Sequence, residues 1–189
     1  MTLQIAQHAE ADALLAAEPL ALLIGMALDQ QEKMEKAFTG PWVLQQRVGT
    51  TLDAADLAGR DNLPELFATV PAIHRFPGSM AGRIRELCAY LVEHHDGKAE
   101  NVWLGVKTGD ELLERLKALP GFGEQKATIF LALLGKQMGV RPRGWREAAG
   151  VYGEKGSLRS AADVTSKETL LQVRAYKQSM KAAAKAAKG

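Results

Sequence analysis

The chain has one cysteine, Cys88, in 189 residues, and four histidines. A single cysteine excludes a disulfide framework, a four-cysteine iron–sulfur cluster and a cysteine-based structural zinc site. No apolar run approaches the ~20 residues that cross a bilayer, so no membrane partner is expected. Met1 to Ile5 lack the basic flank and apolar block of a secretory signal, and a soluble, cytoplasmic protein is expected. Strand-like alternation is hard to find, no internal repeat is visible, and no linker is long enough to separate independent domains. Acids are missing from the end of the chain: after Glu168 come Arg174, Lys177, Lys181, Lys185 and Lys188 alone.

Apolar residues make up 47%, which is enough for a sizeable core. The net charge of +2 conceals a split. Residues 1–73 carry ten acids and four bases, whereas 74–189 carry twelve acids and twenty bases. Such a split favours a polyanion-facing surface in the second part, although a lysine-rich helix end also suits the negative pole of its own dipole.

Helical periodicity dominates, and the fold class expected is all-α. Residues 9–17 read as a short helix. Pro19 opens a second, Leu20 to Leu28, which is apolar on nearly every side and therefore belongs inside the protein. The polar break Asp29-Gln30-Gln31 ends it. Further helices are expected at Lys33–Phe38, stopping at Gly40-Pro41, and then at 42–48, 54–58 and 62–68. Ser79–His94, Asp110–Ala118, about Gln125–Lys136 and about Lys167–Ala187 follow, with 139–156 read as irregular. The total is nine to eleven short helices.

The most informative segment is Leu119-Pro120-Gly121-Phe122-Gly123-Glu124-Gln125-Lys126-Ala127. Two glycines bracket one apolar residue between helices, so the backbone can turn hard without a side-chain clash. The free amides of the next helix start can then meet an anion. Phe122 is expected to point inward and pin the turn. An ordinary tight turn would share the bare Gly-x-Gly.

This Leu-Pro-Gly-x-Gly-x-x-x-Ala pattern looks like a helix-hairpin-helix, a sequence-independent clamp on DNA phosphates. Together with Leu22 to Gln31 some ninety residues earlier, it resembles the helix-hairpin-helix/Gly-Pro-Asp superfamily of DNA glycosylases. The resemblance covers roughly residues 10–145 and is strongest to a small bacterial branch without an iron–sulfur cluster. Ile73 to Pro77 followed by Met80 to Arg85 is similar to that superfamily's turn and basic helix. The resemblance implies a two-lobed helical fold, with an insert lobe at 33–135 and a second lobe from 1–32 plus 136–189. It also implies a monomer acting on damaged double-stranded DNA. A monovalent cation on the turn carbonyls is compatible with it, and no other cofactor or metal is expected. Gln31 falls where the superfamily inserts a side chain at the vacated base, with Gln30 and Asp29 beside the base pocket. A polar helix exit would read the same way.

The chain departs from the superfamily pattern twice. Bifunctional members carry a lysine two positions after the second hairpin glycine, and here that position is Gln125. Lys126 is one step on, which turns a side chain by ~100°, so it is expected on phosphate or solvent and β-lyase activity is not expected. The superfamily's catalytic aspartate lies about twenty residues past Gly123, where this chain has Arg143, and no acid stands between Glu124 and Glu147. Either another carboxylate substitutes, or the protein binds DNA without cutting it. Asp29 ranks first as substitute, Asp163 second and Glu147 third, while His74 could orient water or stack. Arg141, Arg143, Trp145 and Arg146 could pair with phosphate and stack on an exposed base, or could surround a core tryptophan.

Overall fold

A computed structural model describes residues 2–189, and the fold is all-α. Ten α-helices and three 3₁₀ segments are formed among the described residues, with no strand and one isolated parallel bridge between Thr108 and Arg143. The helices are α1 (Ala9–Ala17), α2 (Pro19–Leu28), α3 (Met34–Val48), α4 (Ala54–Gly59), α5 (Leu63–Ala68), α6 (Pro77–His94), α7 (Gly109–Lys117), α8 (Glu124–Gln137), α9 (Trp145–Ala148) and α10 (Lys167–Ala186). The 3₁₀ segments are Ala99–Val102, Gly150–Tyr152 and Ala161–Asp163.

Local chemistry sets most boundaries. Pro19 and Pro77 sit in the first turns of α2 and α6, where a missing amide hydrogen costs nothing. The side chains of Asp53, Thr108 and Ser166 accept backbone amides to cap α4, α7 and α10. Gly49, at φ +82°, closes α3 in the left-handed conformation that glycine adopts without strain.

α2 is the centre. Leu20 to Met26 and Leu28 are all buried, and each leucine, isoleucine or methionine so buried stabilises by about 1.5–3 kcal/mol. Among the described residues no single helix is long and apolar enough to cross a membrane.

One expected break does not occur. Gly40-Pro41 lies inside α3 rather than ending a helix. α3 packs against α2 here so closely that a Cβ on Gly40 would lie 2.7 Å from Leu28 Cδ1. Burial of Ala37, Phe38 and Leu44 on the same helix outweighs the one hydrogen bond lost to the proline.

Packing follows chain order. α1, α2 and α3 form one group, α4, α5 and α6 a second, and α7, α8 and α9 a third with the 161–163 segment on α8. α3 therefore sits with α1 and α2, across the expected boundary at 32/33, and the 135/136 boundary falls inside α8. A single contiguous core joins all three groups.

A candidate nucleic-acid interface at the end of the central helix

The site grows from the way α2 stops. Asp29 closes the helix through its amide, which donates to the Gly25 and Met26 carbonyls, and Gln31 then adopts φ +54°. That left-handed backbone is unfavourable for glutamine and must be held by its surroundings. Buried His74 does part of this. Its Nδ1 accepts the Phe76 amide, so Nε2 carries the hydrogen and donates to the Gln30 carbonyl at 2.9 Å. Arg75 donates its amide to Glu32 Oε2 and its guanidinium to the Gln31 carbonyl. His74 is thus a structural bracket: both ring nitrogens are committed to backbone, and its ring lies 6.1 Å from that of Phe76. Burial works against ionised Glu32, but the Lys33 and Arg75 amides and Lys36 outweigh it and hold the carboxyl below its ordinary value.

Beneath the bracket lies a cationic plug. Lys126, from the first turn of α8, donates Nζ to the Ala27 carbonyl at 2.9 Å and to Gln30 Oε1 at 3.3 Å. Arg83 of α6 donates to the same Gln30 oxygen at 3.0 Å. Burial pushes the Lys126 amine down to about 8, with the Asp29 carboxylate opposing that fall and Arg83 adding to it. Lys126 is thus not simply in solvent: the extra helical step half-buries it against the end of α2, where its amine is already bonded. Gln125 remains on the outside and donates to the Tyr152 hydroxyl at 3.0 Å.

Above the plug opens a cleft of about 1000 Å³. Asp29 lines it with only 9% of its side chain exposed, and its nearest cation is Lys177 Nζ at 3.6 Å. Exposed Gln31 stands in the same cleft, as do Gln125 and the aromatics Phe76, Tyr152 and Tyr176. Six bases line it, Lys33, Lys36, Arg75, Arg159, Lys177 and Lys181, against two acids, Asp29 and Glu32. One wall is α10, which Arg174 ties to Glu35 of α3. Sequence reasoning anticipated a basic tail facing a polyanion. It did not anticipate that Lys177 would stand beside Asp29 and Lys181 line the same cleft, or that Phe76 and the two tyrosines would join them.

The turn between α7 and α8 has the expected inward anchor. Leu119 and Phe122 are buried, and Phe122 meets Phe130 edge-on. Gly121 has φ +79°, whereas Gly123 is extended and has open space where a Cβ would stand. A monovalent cation here would draw on turn carbonyls, of which that of Leu119 already accepts the Phe122 amide at 3.0 Å.

Other expected site residues lie elsewhere. Trp145 is buried against α8, and a Cβ on Gly135 would come 2.3 Å from its ring, so it is a core residue with no face left for a base. Arg143 is strapped by its backbone to Lys107 and Gly109 and does not line the cleft. Arg141 donates Nε to the Gly135 carbonyl, and Arg146 stacks over Trp145; both face a separate, smaller cavity. Asp163 lies on that cavity too, with its oxygens accepting from Lys136, Ser157 and the amides of Arg159 and Ser160. These bonds make it a structural clamp. Glu147 lines neither cavity.

No protein-family model, curated protein or solved structure matches this chain.

Proposed function

We propose that this protein binds damaged or mispaired double-stranded DNA along the basic cleft and hydrolyses the N-glycosidic bond of one base, acting as a monofunctional glycosylase. The observation that carries the reading is Asp29: a nearly buried carboxylate in a cleft lined by six bases and three aromatics, next to exposed Gln31. The bases answer the phosphates, and the aromatics offer faces on which an unstacked base can rest. Gln31, on a backbone held by His74 and Arg75, can fill the gap that a flipped base leaves and hydrogen-bond its orphaned partner.

In the chemical step the bond from the sugar's anomeric carbon to the base nitrogen breaks, and the base departs with the electron pair and takes up a proton. The sugar becomes an oxocarbenium-like cation, which the Asp29 carboxylate stabilises. Water adds its oxygen to that carbon from the open face and loses a proton, leaving an abasic sugar. Lys126 is committed to Ala27 and Gln30, and in this reading it positions Gln30 rather than attacking the sugar. The turn at Gly121-Phe122-Gly123 supports the reading as a phosphate contact at the start of α8.

A panel of duplexes with defined lesions, scored for base release after alkali, tests this reading. Release from at least one duplex is expected, with no borohydride-trapped adduct. A trapped adduct lost in Lys126→Ala would move the chemistry to that amine. A second reading, DNA binding without catalysis, is favoured by Lys177 standing at 3.6 Å from Asp29. It becomes the better one if no duplex loses a base while binding remains tight and salt-sensitive.

A further inference from the structure

The smaller cavity shares no lining residue with the cleft and has about 430 Å³ of space. Its charge is unbalanced. Lys136, Arg141, Arg146 and Lys155 line it against a single acid, Asp163. That acid is already satisfied by Lys136, Ser157 and two backbone amides, so it offers nothing to a cation. The remaining bases are largely uncommitted. Arg141 gives only Nε, to the Gly135 carbonyl, and Arg146 gives only one terminal nitrogen, to the Gly153 carbonyl, while resting 4.4 Å from the Trp145 ring centre. Each arginine is therefore anchored at one point with donors to spare. Lys155 enters no ion pair among the described residues and sits one residue before Gly156, at φ +74°.

Arginines held in this way suit a phosphate, which accepts two parallel hydrogen bonds from one guanidinium. The cavity is larger than a bare ion needs and falls within the range of small-molecule sites. Leu158 and Ala162 supply an apolar part of the lining for the rest of the ligand.

We propose that this cavity is a second binding site, taking a terminal phosphate group attached to a nucleoside. Its source is a free nucleoside monophosphate or the 5′-phosphorylated end of a DNA strand. The inference stands apart from the reading of the cleft, because it concerns a ligand that binds without any duplex.

Calorimetric titration of the full chain with deoxyadenosine 5′-monophosphate and with deoxyadenosine tests it. The monophosphate should bind at least about tenfold more tightly than the nucleoside. The double variant Arg141→Ala, Lys155→Ala should lose that preference. Both residues are exposed, and the only bond given up is that from Arg141 to the Gly135 carbonyl, so the unfolding midpoint should fall by no more than a few degrees. Lys181→Ala, in the cleft, should leave nucleotide affinity within about twofold. Equal affinity for nucleotide and nucleoside, or unchanged affinity in the double variant, overturns the proposal. So does loss of binding in Lys181→Ala, which would put the nucleotide in the cleft. A second arm identifies the source. Competition by a 5′-phosphorylated but not a 5′-hydroxyl oligonucleotide assigns a strand end, and competition by the mononucleotide alone assigns a free nucleotide. Failure here leaves base release untouched, and failure of base release leaves this titration interpretable.

Discussion

Asp29 and Asp163 are both largely hidden from solvent, with 9% and 3% of their side chains exposed, yet their surroundings are opposite. Asp163 accepts from an ammonium, a hydroxyl and two amides, caps the 161–163 segment and holds Lys136 against it. Asp29 has one cation at 3.6 Å and an open cleft in front of it. Burial alone does not distinguish a carboxylate that is free to act from one that is structural; the number of committed lone pairs does. A carboxylate with its acceptors filled is already solvated by the protein and has nothing to offer a reacting atom.

Substituting each residue tests this contrast. The largest expected effect is on chemistry: Asp29→Asn should lower base release by about 10²-fold or more, with duplex affinity within about threefold. An unchanged release rate would make Asp29 structural. Stability should hardly move, because its single ion pair is loose.

Asp163→Ala should show the reverse pattern. It strands Lys136, whose side chain is 14% exposed, and should cost about 3–5 kcal/mol in denaturant unfolding. A loss below about 1 kcal/mol would mean that Lys136 finds water or another partner, and the contrast between the two acids would weaken.

Two glycines sharpen the comparison at the level of packing. Gly135→Ala drives a methyl into the Trp145 ring and should cost about 1–3 kcal/mol, read as a lower denaturation midpoint. Gly123→Asp meets open space, so stability should hold while duplex affinity falls, most visibly at low salt. Undiminished affinity in that variant would remove the turn from the interface.

The smallest effect is a pH slope. The Lys126 amine is lowered to about 8 in the folded protein, against ~10.4 for an ordinary lysine. Between those values the unfolded chain holds more protons, so this group's contribution to stability rises with pH across that window and is level below it. The stability of the parent relative to Lys126→Met should therefore climb from pH 8 to pH 10. A flat difference would show that the amine titrates normally.

Much of the fold was legible locally. The periodicity of 9–17, 20–28 and 167–187 gives α1, α2 and α10 nearly to the residue, and an all-apolar α2 had to be central. Phe122 between two glycines had to turn inward, and it does. The basic end of the chain was visible as charge, and its Lys177 and Lys181 line the cleft. The site was less legible, since the same patterns fitted Asp29 and Asp163, or Trp145 as stacking platform and as core.

Sequence alone determined most of the helices, the buried centre and the sign of the charge, because these depend on neighbours within a turn or two. Tertiary structure decided which groups meet. Lys126 reaches Ala27 across 99 residues and Arg174 reaches Glu35 across 139, and no local pattern records either contact. A side chain's helical period fixes the face it lies on. Whether that face looks onto a carboxylate, a tryptophan ring or open water depends on what another segment brings there, and that is set when the core closes.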